Sequence, residues 1–164
     1  MNRPLRFYKE YITFAEVPNE ICLCITIAGC PLHCPDCHSK WLWKDVGLIL
    51  NIPLLKQLIE KHPNVTCICF MGGDQNPEAV GVLIKYVYFR YRRKYKIAWY
   101  SGRDILQNTD YLDYIKVGPY DAMLGPLTSK TTNQKMYQIN HSRMDGIRLS
   151  DLKDITNVFW KEQT

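Results

Sequence analysis

Cys30, Cys34 and Cys37 lie in the run Gly29-Cys-Pro-Leu-His-Cys-Pro-Asp-Cys-His38, directly after an apolar stretch. As thiolates they are soft ligands, suited to iron–sulfur clusters or zinc. Three is the informative count. A closed structural zinc site uses four protein ligands, and a cubane cluster in an electron carrier uses four cysteines. A cluster held by three leaves one metal open to a ligand that is not protein, an arrangement suited to chemistry. The zinc reading recruits His33 or His38 to complete a Cys3His site, but no second Cys-x-x-Cys follows downstream. A thioredoxin-like role for Cys34 and Cys37 leaves Cys30 unexplained. Cys22 with Cys24, and Cys67 with Cys69, alternate within apolar runs, so each pair shares a strand face. Free cysteine is a common small buried residue, and these four are assigned to the core.

The elements that position the three thiols follow from the apolar pattern. Ile21 to Ile27 is β-branched and apolar, a buried strand that delivers the cysteine loop. Asn51 is placed to cap a helix with Pro53 in its first turn, and Leu54, Leu55, Leu58 and Ile59 keep helical spacing. Val65 to Met71 is a second strand, ending at Gly72-Gly73-Asp74. Asn76 and Pro77 open a helix to about Lys94, with Val80, Leu83, Ile84, Val87 and Tyr91 on its apolar face. Lys96 to Tyr100 is a third strand and Tyr111 to Val117 contains a fourth. Beyond Tyr120 the pattern predicts irregular structure with one late strand near Asn157 to Trp160.

Strand–helix alternation implies parallel strands joined by right-handed crossovers. Ligands of such sheets bind beyond the carboxyl ends of the strands. The cysteine loop, Gly72-Gly73-Asp74, Ser101-Gly102 and Gly118-Pro119 all follow strands and are expected at one edge. Glycines there let a ligand approach the backbone. Asp74 can accept from an ammonium group or help to cap the next helix. Trp41 and Trp43 suit either core packing or a lid over the site.

With 164 residues the chain reads as one domain, 1–164, with its core over about 5–140 and a peripheral tail from 141. No stretch near the amino end resembles a secretory signal, and Ile21 to Ala28 is too short to span a bilayer. Seven cysteines without an export signal argue for a reducing, cytoplasmic setting rather than a disulfide framework. The net charge of +5 is modest and singles out no partner class. The run Lys85 to Lys96 is basic with interleaved aromatics. A solvated helix end accounts for it better than a nucleic-acid surface.

Taken together, Cys30-x3-Cys34-x2-Cys37, the Gly-Gly-acidic turn and the parallel layout resemble the radical S-adenosylmethionine enzymes. Within them the chain is most similar to the activating proteins of anaerobic ribonucleoside-triphosphate reductase. His38-Ser-Lys-Trp41, the run Asp113 to Tyr120, Gly125-Pro-Leu127 and Thr132-Asn-Gln-Lys135 extend the likeness over roughly residues 5 to 140. Two departures stand out. Asp36 occupies a position that is often aromatic, and Asp74-Gln75-Asn76 displaces the proline that usually follows the acidic residue.

The resemblance implies a single-domain α/β fold, a truncated β/α barrel with mostly parallel strands. It implies a [4Fe–4S] cluster on Cys30, Cys34 and Cys37, its fourth iron chelated by S-adenosylmethionine. Gly72, Gly73 and Asp74 would bind the methionine amino end, and backbone near Asp36 and His38 would meet the adenine. Ser101 is a candidate contact to the ribose or carboxylate, and Lys116, placed by its strand-end position, is a further candidate cofactor contact. The implied activity is that of a glycyl-radical activase with the reductase large subunit as protein substrate. A flavodoxin-like or other low-potential donor would supply the electron, and no general acid–base pair is required. Arg90, Arg92 and Arg93 are candidates to steer an acidic partner, while membrane and nucleic-acid partners are not expected. The competing readings are an activase of another glycyl-radical enzyme of formate-lyase type, a zinc-stabilised nucleic-acid-binding module, and a degenerate family member kept as a binding subunit.

Overall fold

A computed structural model describes residues 3–91, 94–144 and 147–160. Arg92 and Arg93 lie outside the described residues. The strands are β1 (Arg6–Thr13), β2 (Cys22–Ala28), β3 (Leu48–Ile49), β4 (Cys67–Met71), β5 (Lys96–Tyr100), β6 (Tyr114–Val117), β7 (Lys135–Met144) and β8 (Ile147–Asp154). The helices are α1 (Ile52–Lys61) and α2 (Pro77–Arg90). All eight strands form one sheet in the order β3-β1-β2-β4-β5-β6-β7-β8. Among the described residues no helix is long and apolar enough to cross a membrane.

The centre of the sheet follows the sequence closely. β2, β4, β5 and β6 pair in parallel, as the alternation of strands and helices requires. Both helices start where the capping pattern places them: Asn51 accepts from the Leu54 N–H and Asn76 from the Ala79 N–H. The expectation of mostly parallel strands does not hold for the whole sheet. β3, β1 and β2 pair antiparallel on one flank, and β6, β7 and β8 on the other. The fold is therefore a mixed α/β sheet with a parallel centre.

The carboxyl-terminal expectation is overturned as well. Residues 135–144 and 147–154 form two long antiparallel strands, and Thr156–Phe159 is a 3-10 turn where a strand was expected. These strands carry polar residues at the sheet edge, so they lack the continuous apolar run of a buried parallel strand. β7 runs through the expected boundary at residue 141, and the hairpin is the edge of the sheet itself. β1 was hidden for the same reason, alternating charged and aromatic residues.

Period-two alternation divides the buried side chains between two faces. Leu23, Ile25, Ile27, Ile68, Phe70, Ile97, Trp99 and Ile115 pack under α1 and α2. The opposite face carries Cys22, Cys24, Cys67, Cys69, Ala98, Tyr114 and Met136. The four non-loop cysteines are thus free thiols of a buried core. Burial and hydrogen bonding to Cys24 hold the Cys69 thiol well above its usual range. A protonated, enclosed thiol is a packing group rather than a ligand.

Candidate metal and cofactor site

The cysteine loop leaves β2 through Gly29, at φ +85°. The Gly29 and Cys30 N–H groups both donate to the Leu42 carbonyl, and the Gln75 side chain donates to the Ala28 carbonyl at 2.7 Å. His33 and Asp36 adopt left-handed conformations, φ +46° and +57°, which curl the loop back on itself. The Cys37 N–H donates to the Cys34 carbonyl and the Ser39 N–H to the Cys37 sulfur. The Trp43 ring stacks on His33, centroids 4.7 Å apart. Trp41 and Trp43 wall the site rather than fill the core.

A cavity of about 400 Å³ opens at the carboxyl ends of the parallel strands. Cys30, Cys34, Cys37, Gly72, Asp74, Ser101 and Lys116 all line it. Three sequence candidates stand elsewhere. Gly73 turns away toward α2, where an added Cβ would meet the Val80 methyl at 2.5 Å. Asp36 is exposed in an adjoining groove with Pro119 and Met123. His38 is exposed and packs on the Tyr120 ring, centroids 5.0 Å apart. Tyr120 itself lines the cavity.

The loops after β4, β5 and β6 are tied together at Asp74. Its carboxylate, buried at 2 % exposure, accepts from the Ser101 hydroxyl at 2.6 Å and the Gly102 N–H at 2.9 Å. The Arg103 guanidinium donates to the Asp74 carbonyl, and the Ser101 N–H to the Lys116 carbonyl. Asp74 thus serves the loops of the site, while the next helix is capped by Asn76. The Lys116 ammonium is buried and donates to the Gly118 carbonyl at 2.8 Å. Desolvation lowers its pKa to about 8, against the attraction of Asp74, Cys34 and Glu16. Burial raises the Cys30 thiol, opposed by the N–H groups of Leu32 and His33.

The donor set fits an iron–sulfur cluster. Three half-buried thiols from one loop share one cavity wall. A cubane binds each thiolate at a separate iron, so its ligands need not meet at a point. A tetrahedral zinc site requires convergence. Among the described residues no group of three or more His, Cys, Asp or Glu side chains is arranged to hold a single metal ion.

Sequence reasoning missed Thr26, Gln75, Arg103 and Gln134. Thr26 was legible: it continues the Cys22, Cys24 alternation and is the polar member of an apolar run. Gln75 and Arg103 act through loop-to-loop bonds that no local pattern announces.

The fold and site together define an α/β protein presenting a three-thiol loop at the carboxyl edge of its parallel strands. A family model described as a 4Fe-4S single cluster domain matches residues 21–143, more than half of the chain. The chain belongs to that family, which is typical of radical S-adenosylmethionine activases. No curated protein and no solved structure matches it.

Proposed function

We propose that the protein is the glycyl-radical activase of an anaerobic ribonucleoside-triphosphate reductase. Cys30, Cys34 and Cys37 would hold a [4Fe–4S] cluster, with S-adenosylmethionine in the cavity beside it. Bound and reduced, that group would supply reductive cleavage of S-adenosylmethionine and, through it, the radical chemistry that removes a Cα hydrogen from a glycine of the reductase large subunit. A flavodoxin-like donor provides the electron.

One observation carries the reading: three thiols, the Asp74–Ser101 pair and the buried Lys116 cation open on a single cavity. Asp74 is the acceptor for the cofactor's ammonium group, and Ser101 and Gly102 hold its carboxylate in place. Lys116 faces the cavity as the cation for the cofactor's carboxylate. The walls of Trp41, Trp43 and Leu42 exclude water around the sulfonium. Cofactors of this kind carry the hard chemistry while the protein orients them.

Arg90 closes α2 and does not line the cavity. α2 starts beside the cavity and runs back along the sheet, leaving Arg90 at the amino end of β5. There its guanidinium stacks on Tyr91.

The test is anaerobic reconstitution with iron and sulfide, reduction, addition of S-adenosylmethionine and quantification of 5′-deoxyadenosine. No product at full cluster content would sink the reading. Mixing with candidate large subunits and recording the glycyl radical by electron paramagnetic resonance separates the reductase from a formate-lyase type partner. Asp74→Asn should fold, because an amide can still accept from Gly102. It loses a charge-assisted bond to the cofactor, so its KM for S-adenosylmethionine should rise roughly 10- to 100-fold. An unchanged KM would remove Asp74 from the cofactor site.

A further inference from the structure

The buried polar residues that line the cavity differ in how the fold uses them. Asp74 and Ser101 bond to each other, Lys116 donates to the Gly118 carbonyl, and the Thr26 hydroxyl is enclosed away from the cavity. Gln134 matches none of these. It lines the cavity and is 7 % exposed, and its side-chain amide has no hydrogen-bond partner among the described residues. Neither amide atom is enclosed, so both are open to whatever fills the cavity.

The backbone that carries this amide is fixed. The Gln134 N–H donates to the Thr132 hydroxyl at 3.1 Å, and that hydroxyl donates to the Gly125 carbonyl. The Asn133 side chain donates to the Pro119 carbonyl at 3.1 Å. Gly118, at φ +103°, lets the segment approach the end of β6: a Cβ there would lie 3.1 Å from the Gln134 Cα. Glutamine is seldom so buried, and a buried polar group ordinarily finds a partner in the protein. Methionine would fill the same length without an amide. The fold therefore holds the amide in place without using it, and its partner comes with what enters the cavity.

We propose that the Gln134 amide reads the main chain of the glycine-bearing segment of the protein substrate, donating to a carbonyl and accepting from an N–H beside the glycine. This rests on the activase reading above. Glycine has no side chain, so a site that receives it has only the neighbouring backbone to recognise. A primary amide carries a donor and an acceptor side by side, the same pair that a peptide group offers. Its place in the sheet agrees. Asp74, Ser101 and Gly102, the partners of the cofactor's amino-acid end, meet in the loops after β4 and β5. Gln134 immediately precedes β7, on the flank of the cavity away from the cysteine loop that follows β2. From Gln134 to Lys9 on β1 the cavity spans the four parallel strands between them, which leaves room for a peptide beside the cofactor. Gln134 is thus a positioning residue for the protein substrate: it fixes the backbone on which the glycine is presented.

The test uses cluster-loaded full-length protein and the large subunit that acquires a glycyl radical in the mixing experiment above. Gln134→Met keeps the length of the side chain and removes the amide; Gln134→Asn keeps an amide on a stem one methylene shorter. Four quantities are measured: melting temperature, the dissociation constant for S-adenosylmethionine without partner, the dissociation constant for the fluorescently labelled large subunit, and the initial rate of glycyl-radical formation. For Gln134→Met the melting temperature should equal or exceed wild type, and the S-adenosylmethionine constant should stay within twofold. The constant for the large subunit should rise roughly 5- to 50-fold, and radical formation at subsaturating partner should fall at least as far. Gln134→Asn should lie between Gln134→Met and wild type in both. Unchanged partner binding and radical formation in Gln134→Met would overturn the proposal. So would weakened S-adenosylmethionine binding without partner, which would assign the amide to the cofactor's adenine, whose edge also pairs with a glutamine. A lowered melting temperature would make the amide a structural group and overturn it as well. If wild type cleaves the cofactor but no large subunit acquires a radical, the activase reading fails and this proposal falls with it.

Discussion

Cys34→Ala should leave a folded protein that binds little iron and forms 5′-deoxyadenosine at less than about one-thousandth of the wild-type rate, because the cofactor supplying the chemistry is gone. The fold is expected to survive because Cys34 contributes to the loop through its backbone: its carbonyl accepts from the Cys37 N–H. Its side chain is half-buried and faces the cavity and the adjoining groove, so alanine there removes a ligand and no core contact. Cys69→Ala is the contrast. Cys69 is fully buried between strands, and its loss should cost about 1–2 kcal/mol of stability while iron binding per folded molecule is kept. Iron and sulfide analysis, melting temperature and product yield together separate the two classes of cysteine. Equal iron in Cys34→Ala and wild type would exclude Cys34 as a ligand.

That contrast was legible in the sequence, and for a physical reason. Cys22, Cys24, Cys67 and Cys69 sit in β-branched apolar runs, whereas Cys30, Cys34 and Cys37 sit among prolines, histidines and an aspartate that no strand accommodates. The four parallel strands and both capped helices were equally readable, since buried strands are continuous apolar runs and an Asn closely followed by Pro marks both helix starts. β1, β7 and β8 were not. Antiparallel strands on the flanks of the sheet expose one face and mix Lys, Tyr, Gln and Ser with apolar residues, so their local pattern resembles a loop. The same limit applies to the site. Residues placed at strand ends by the crossover rule, such as Asp74, Ser101 and Lys116, did reach the cavity. Gly73 lies one residue from two that did, yet its φ of +95° and the Val80 contact turn it into the core. Position along the chain fixed the neighbourhood, and only backbone conformation decided which way each residue faced.

Lys116→Met should raise stability at pH 7 by up to roughly 3 kcal/mol, a melting-temperature increase of about 5–10 °C, while weakening use of the cofactor. Lys116 is 8 % exposed, and its pKa of about 8 lies below the 10.5 of a free lysine. A base whose folded pKa is depressed destabilises the fold wherever both states are charged. Below pH 8 the folded protein therefore bears the full cost of a desolvated ammonium. Between pH 8 and 10.5 the folded state releases its proton while the unfolded chain keeps it, so the wild type gains stability as pH rises. The stability difference between variant and wild type should thus be largest below pH 8 and vanish above pH 10.5. Urea titrations of both proteins, free of cluster, across pH 6 to 11 measure it. Subtraction removes the common contributions of Cys30, Cys67 and Tyr100, whose raised values titrate in the same alkaline range but lower stability as pH rises. If Lys116→Met were instead less stable at pH 7, the bond to Gly118 would outweigh desolvation and Lys116 would be a structural residue of the β6 loop. A more stable variant with an S-adenosylmethionine KM raised tenfold or more has the opposite meaning. The cation is then held at a cost in the free protein because its partner arrives with the ligand.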